Sequence, residues 1–223
     1  MSAAAMDVSK KLQATAPWWE ILLVMALTLG ISLFFPALKV LAVLLPVAYL
    51  IAERFLRRRS WTSSGFGLKR FPQELVRNFG WVLLVGVGTQ ALGVFGTHWL
   101  LPDYAAHVIA RLPFQNVHDL GPVVNGLLVT TLGEEVIFRG LFQKRTSAFL
   151  PVPAAILLTS LVFALMHYAP GPFLIVFVDL ALVVVDSLIY GIIFARSNNV
   201  FVSWAAHFLA DVCGMAFLLI FLK

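Results

Sequence analysis

Residues 123–148 read VVNGLLVTTLGEEVIFRGLFQKRTSA, an apolar run long enough to cross a bilayer but broken at its centre by two adjacent carboxylates and an arginine. A spanning helix needs about 20 apolar residues. An ionisable group at membrane depth costs about 2.5–3.5 kcal/mol even on a lenient insertion scale, so each needs a partner or a task. The rest of the chain shows that the membrane reading is the right one. Hydrophobic residues make up 61% of the chain and charged residues 12%, and the mean hydropathy is +0.92. Soluble domains sit near half apolar and a quarter charged. The expected fold class is all-α, a polytopic transmembrane helix bundle.

Outward from this stretch, further apolar runs lie at about 17–35, 37–53, 79–101, 151–168, 173–195 and 199–222, which gives about seven spanning helices. Only FPALK (35–39) separates the first two, so a tight hairpin and one long kinked helix are both open. Charge favours the hairpin. With seven helices and a cytoplasmic N-terminus, twelve basic residues fall inside: Lys10 and Lys11, the seven between Arg54 and Arg77, Lys144, Arg145 and Arg196. Only Lys39, Arg111 and Lys223 fall outside, as the positive-inside rule requires. The basic pair ahead of the first run reads as the flank of a retained segment rather than of a cleaved signal.

Two units are expected: residues 1–120, N-terminal membrane helices with a basic cytoplasmic loop at 54–78, and residues 121–223, a four-helix membrane core. The loop reads as a topology-setting segment that meets lipid headgroups, with a partner-docking surface as the alternative. The net charge of +5 does not point to nucleic acid, because no basic stretch is interleaved with stacking aromatics. Cys213, the single cysteine, cannot form an internal disulfide.

The polar residues within the apolar runs fall into three patterns. In GEEVIFRG (133–140), Glu135 and Arg139 are four apart and share a helix face, so they can pair. Glu134 lies about 100° around the helix and is left for chemistry. In FALMH, Phe163 and His167 are four apart, and a hairpin turning just before Pro151 sets His167 level with Glu134. In HFLAD, His207 and Asp211 share one face of the last helix. Mirroring across RSNN (196–199) brings Asp186 opposite them, where it could orient a histidine. Asp179 reads as a neutral or hydrogen-bonded bundle residue, and His98, His107 and His118 as surface or loop histidines.

Glu134-Glu135-Val-Ile-Phe-Arg139, Phe163-Ala-Leu-Met-His167 and His207-Phe-Leu-Ala-Asp211, in that order, resemble the motifs of a known family. It is the CAAX protease and bacteriocin-processing (CPBP) family of glutamic-type intramembrane endopeptidases, related to the Ras-converting prenyl-protein protease. The resemblance covers about residues 121–212 and implies that Glu134 and His167 activate a water while His207 and Asp211 stabilise the oxyanion. Glu135, Arg139, Phe163 and Asp186 would support them. Where eukaryotic members have asparagine this chain has Asp211, which is expected to act as a neutral acid or by orienting His207. The expected substrate is a membrane-associated peptide or protein and the expected location a bacterial or archaeal inner membrane. No cofactor is expected. A zinc site on Glu134, His167 and His207 is the alternative, although the HExxH spacing is absent. A proton-coupled transporter and a non-catalytic scaffold or immunity protein on the same fold are the competing functions.

Overall fold

The computed structural model describes residues 17–112 and 117–221, so Lys10, Lys11 and Lys223 lie outside the described residues, as does the Lys39 side chain. Among the described residues the fold is helical and has no strand. In chain order the helices are α1 (Trp18–Phe34), α2 (Lys39–Leu56), α3 (Phe71–Arg77), α4 (Phe79–Leu100), α5 (Tyr104–Ala110), α6 (Leu120–Thr146), α7 (Val152–Met166), α8 (Phe173–Ser197) and α9 (Val200–Ile220). By length and composition α4, α6, α8 and α9 can cross a membrane, while α1 and α7 are shorter apolar helices.

The break between α1 and α2 is a single 3₁₀ turn, Pro36–Leu38. Tyr49 donates to Glu20 at 2.8 Å and Arg57 to both oxygens of Glu20 at 2.7 and 2.8 Å. Groups so far apart in sequence meet only if the two helices fold back on each other, so the hairpin is formed and the single kinked helix is not. The turns near Pro151 and at RSNN also lie where expected. Asn198 ends α8 in the left-handed conformation, and the Asn199 side chain caps α9 by accepting from the Phe201 N–H at 3.1 Å.

Two features have no counterpart in the periodicity. Leu84–Thr89 in α4 and Val136–Gln143 in α6 are π-helical, a wider turn that most often appears at functional sites. Small residues there admit close neighbours. A Cβ on Gly86 would lie 2.5 Å from Leu209, and one on Gly140 would lie 3.2 Å from Phe66. These glycines seat α9 against α4 and the 54–78 segment against α6.

The helix ends gather in two polar clusters. At one end Glu53, 2% exposed, meets Arg57 at 3.4 Å, Arg59 at 3.2 Å and Arg145 at 2.7 Å, and Arg145 also donates to Ser64 at 2.9 Å. The carbonyls of Gly65 and Gly67 accept from Val200 N and Asn199 Nδ2, each at 2.9 Å. The basic segment is thus tied into the bundle, and several of its arginines serve buried carboxylates rather than solvent. At the other end Asp179 receives Arg111 at 3.0 Å and Tyr104 at 3.4 Å, with His107 Nε2 at 3.6 Å. This accounts for Asp179 as a hydrogen-bonded residue and gives His107 a partner. Burial, then the Asp179 charge, hold the Tyr104 hydroxyl well above its usual range, so it stays a neutral donor.

Because Glu53 retains Arg57 and Arg59 when Arg145 is removed, while among the described residues Arg145 keeps only Ser64 when Glu53 is removed, the two truncations differ. Glu53→Ala should cost roughly 3–5 kcal/mol, the penalty for stranding a buried partner, and Arg145→Ala less. Thermal unfolding in detergent checks the order.

Candidate active site

α6 delivers the two adjacent carboxylates into different surroundings. The Glu135 side chain is fully buried. Its Oε1 lies 3.0 Å from Arg139 Nη1 and 3.0 Å from His207 Nδ1. Glu134, around the helix, is about one-third exposed and lines an elongated cavity of about 660 Å³ walled mostly by apolar side chains. The adjacent carboxylates are thus one buried and one accessible.

Arg139 is also engaged by α7 and α8. Its Nη2 donates to the Ser187 carbonyl and hydroxyl, each at 2.8 Å. Its guanidinium lies 5.1 Å from the ring centre of Phe163 and 5.3 Å from that of Tyr190, within cation–π range. One cation thereby ties α6 to α7 and α8.

His167 is the C-cap of α7 rather than a residue within the helix. Its Nδ1 is 2.9 Å from the Phe163 carbonyl, and since a carbonyl only accepts, Nδ1 carries the proton and Nε2 is left toward the cavity. His207 is fixed in the same sense. Its Nδ1 donates to Glu135, its ring stacks on Tyr190 at 4.5 Å, and its Nε2 points to Glu134. Glu134 Oε2 stands 3.9 Å from His167 Nε2 and 3.7 Å from His207 Nε2, and Asp211 Oδ1 lies 3.7 Å from the same His207 nitrogen. These separations exceed a direct hydrogen bond and suit a bridging water or a substrate atom.

The four residues expected to act, Glu134, His167, His207 and Asp211, therefore converge on one cavity. The support expected of Asp186 needs correction. Its carboxylate is held by Thr89 Oγ1 at 2.8 Å and Gln90 Nε2 at 2.7 Å, and the hydrogen bond that orients His207 comes from Glu135. Mirroring helices across a turn fixes depth but not rotation, and Asp186 is rotated toward α4. Gln90 and Tyr190 lie outside the three motifs. Gln90 is legible in the sequence as a lone amide inside an apolar run, where a hydrogen-bonding side chain needs a partner. Room for it comes from Gly214, where a Cβ would lie 2.9 Å from Gln90 Oε1.

Among the described residues, no group of three or more carboxylate, imidazole or thiolate side chains is placed to hold a metal ion.

Arg139→Ala should lower thermal stability by roughly 3–5 kcal/mol, since it leaves the buried Glu135 carboxylate without its guanidinium partner. Glu134→Gln should leave the melting temperature near wild type, its side chain being accessible and isosteric. Comparing the two by thermal unfolding in detergent separates the roles of adjacent carboxylates.

No curated protein and no solved structure matches the chain. Residues 116–213, which carry all three motifs and with them Glu134, His167, His207 and Asp211, match the model of the family described as type II CAAX prenyl endopeptidase Rce1-like.

Proposed function

We propose that this integral membrane protein is an intramembrane endopeptidase that hydrolyses a peptide bond of a membrane-associated peptide or protein with a water activated by Glu134. The observation that carries the reading is one accessible carboxylate oxygen set between two imidazole nitrogens, each ring locked by a hydrogen bond at its other nitrogen.

The steps follow from those protons. Water lies between Glu134 and His167, donating to the carboxylate and to the unprotonated Nε2 of His167, which aims the oxygen lone pair at the scissile carbonyl. Glu134 takes the proton as the C–O bond forms. His207 donates from Nε2 to the developing oxyanion. Because its Nδ1 proton is already committed to Glu135, it must carry both protons to do so, and Glu134, Glu135 and Asp211 supply the opposing charge. Asp211, at 3.7 Å from Nε2, acts through His207 rather than on the oxyanion itself. Collapse of the tetrahedral intermediate breaks the C–N bond, and Glu134 returns its proton to the leaving amine. One water is consumed and no ion takes part.

Membrane fractions incubated with a peptide substrate and read by mass spectrometry test this. Glu134→Gln should abolish peptide release, and His207→Ala should reduce turnover roughly 10²–10³-fold, the loss expected for one oxyanion donor. A strong chelator should leave turnover unchanged. Cleavage that survives Glu134→Gln, or that vanishes with chelator and returns with zinc, would overturn the mechanism.

The same proposal places about seven helices across a bacterial or archaeal inner membrane with the N-terminus cytoplasmic. What supports it is that the helix ends tied to the Glu53 cluster are those that strict alternation puts on one side. α1 and α7, about 26 and 22 Å long at 1.5 Å per residue, then cross with help from flanking residues or local thinning. Ser63 and Ala106 are both exposed. After Cys213 is replaced, a cysteine at Ala106 should react with an impermeant thiol reagent in intact cells and one at Ser63 should not.

A further inference from the structure

Away from the cavity, where α4 begins, α8 ends and α9 begins, three arginines surround an open pocket of about 420 Å³. They are Arg70, Arg77 and Arg196, and the lining contains a single carboxylate, Glu74. Arg77 meets that carboxylate at 3.2 Å, but its side chain is 73% exposed, so water weakens the pair. Arg196 is held at Nε, which donates to Asn78 Oδ1 at 3.2 Å. Asn78 is itself buried and anchored through its Nδ2 to the Glu74 carbonyl at 2.8 Å. The pocket thus has an excess of two positive charges, and one of its planar forks is set by a buried amide.

Position indicates what such a pocket meets. It lies at the start of Phe79–Leu100, the end of Phe173–Ser197 and the start of Val200–Ile220, the termini of three candidate spans, which is the level of lipid phosphates. Phe79 and Val76 beside it are exposed apolar side chains that suit acyl chains rather than water. Guanidinium forks match phosphate oxygens in paired hydrogen bonds. We propose that Arg70, Arg77 and Arg196 form a binding site for a phosphate group, that of an anionic phospholipid headgroup or free phosphate, separate from the catalytic cavity. Bound there, the anion links the segment before α4 to the turn between α8 and α9.

Native mass spectrometry of the full chain in detergent, titrated with phosphatidylglycerol, phosphatidylcholine or inorganic phosphate, tests the site. Phosphatidylglycerol should bind more tightly than the zwitterionic lipid. Arg70→Gln with Arg77→Gln should weaken it by roughly fivefold per arginine, with phosphatidylcholine binding and the lipid-free melting temperature unchanged. Should the double variant melt lower, Arg77→Gln alone, at a mostly exposed side chain, carries the comparison. Displacement of the lipid by millimolar inorganic phosphate identifies the phosphate group as what is read. Lipid binding that free phosphate does not disturb assigns the site to the headgroup with its acyl flank. Equal affinity for the two lipids, or binding unchanged in these variants, overturns the proposal.

Discussion

One buried carboxylate oxygen organises the site. Oε1 of Glu135 lies 3.0 Å from both the Arg139 guanidinium and the His207 imidazole. A carboxylate stripped of water is costly unless its charge is met and its lone pairs are used, so the two partners cannot drift from it. Through Arg139 the constraint reaches Ser187 on α8 and the Phe163 ring on α7; through His207 it reaches α9. Four helices are set around one charge, and the side chain next to it in sequence is left facing the cavity.

The wide turns of α4 and α6 work in the same direction. A π-helical stretch shifts the phase of everything that follows it, and the two here flank Gln90 and Glu134. Small residues then decide how closely the neighbours come: Gly86 under Leu209, Gly140 under Phe66 and Gly214 under Gln90. Without a hydrophobic drive between helices in lipid, close approach and hydrogen bonds must carry the association. Polar groups of this bundle therefore also hold its helices together, as Asp186 does with Thr89 and Gln90.

Charge at the two ends follows a similar logic. The 54–78 segment has the composition of a loop that meets lipid, yet Arg57, Arg59 and Arg145 close around Glu53 while Gly65 and Gly67 hold the start of α9. Among the basic side chains that remain open to the surroundings, Arg70, Arg77 and Arg196 meet at the junction of three helix ends.

The sequence by itself determined the helical membrane class, the positions of the turns at Pro36, Pro151 and Asn198, and a set of four polar side chains that share one cavity. Composition, proline and rare intramembrane charges are strong local signals because the bilayer penalises each exception. It also separated Glu135 from Glu134, since helical spacing alone pairs Glu135 with Arg139. Only the tertiary structure decided which partner orients His207, that His167 closes its helix rather than lying within it, and that Asp186 turns toward α4. Those outcomes depend on the rotation of each helix about its own axis. Contacts between helices, packing against glycines among them, set that rotation, and they leave no periodic mark in the chain.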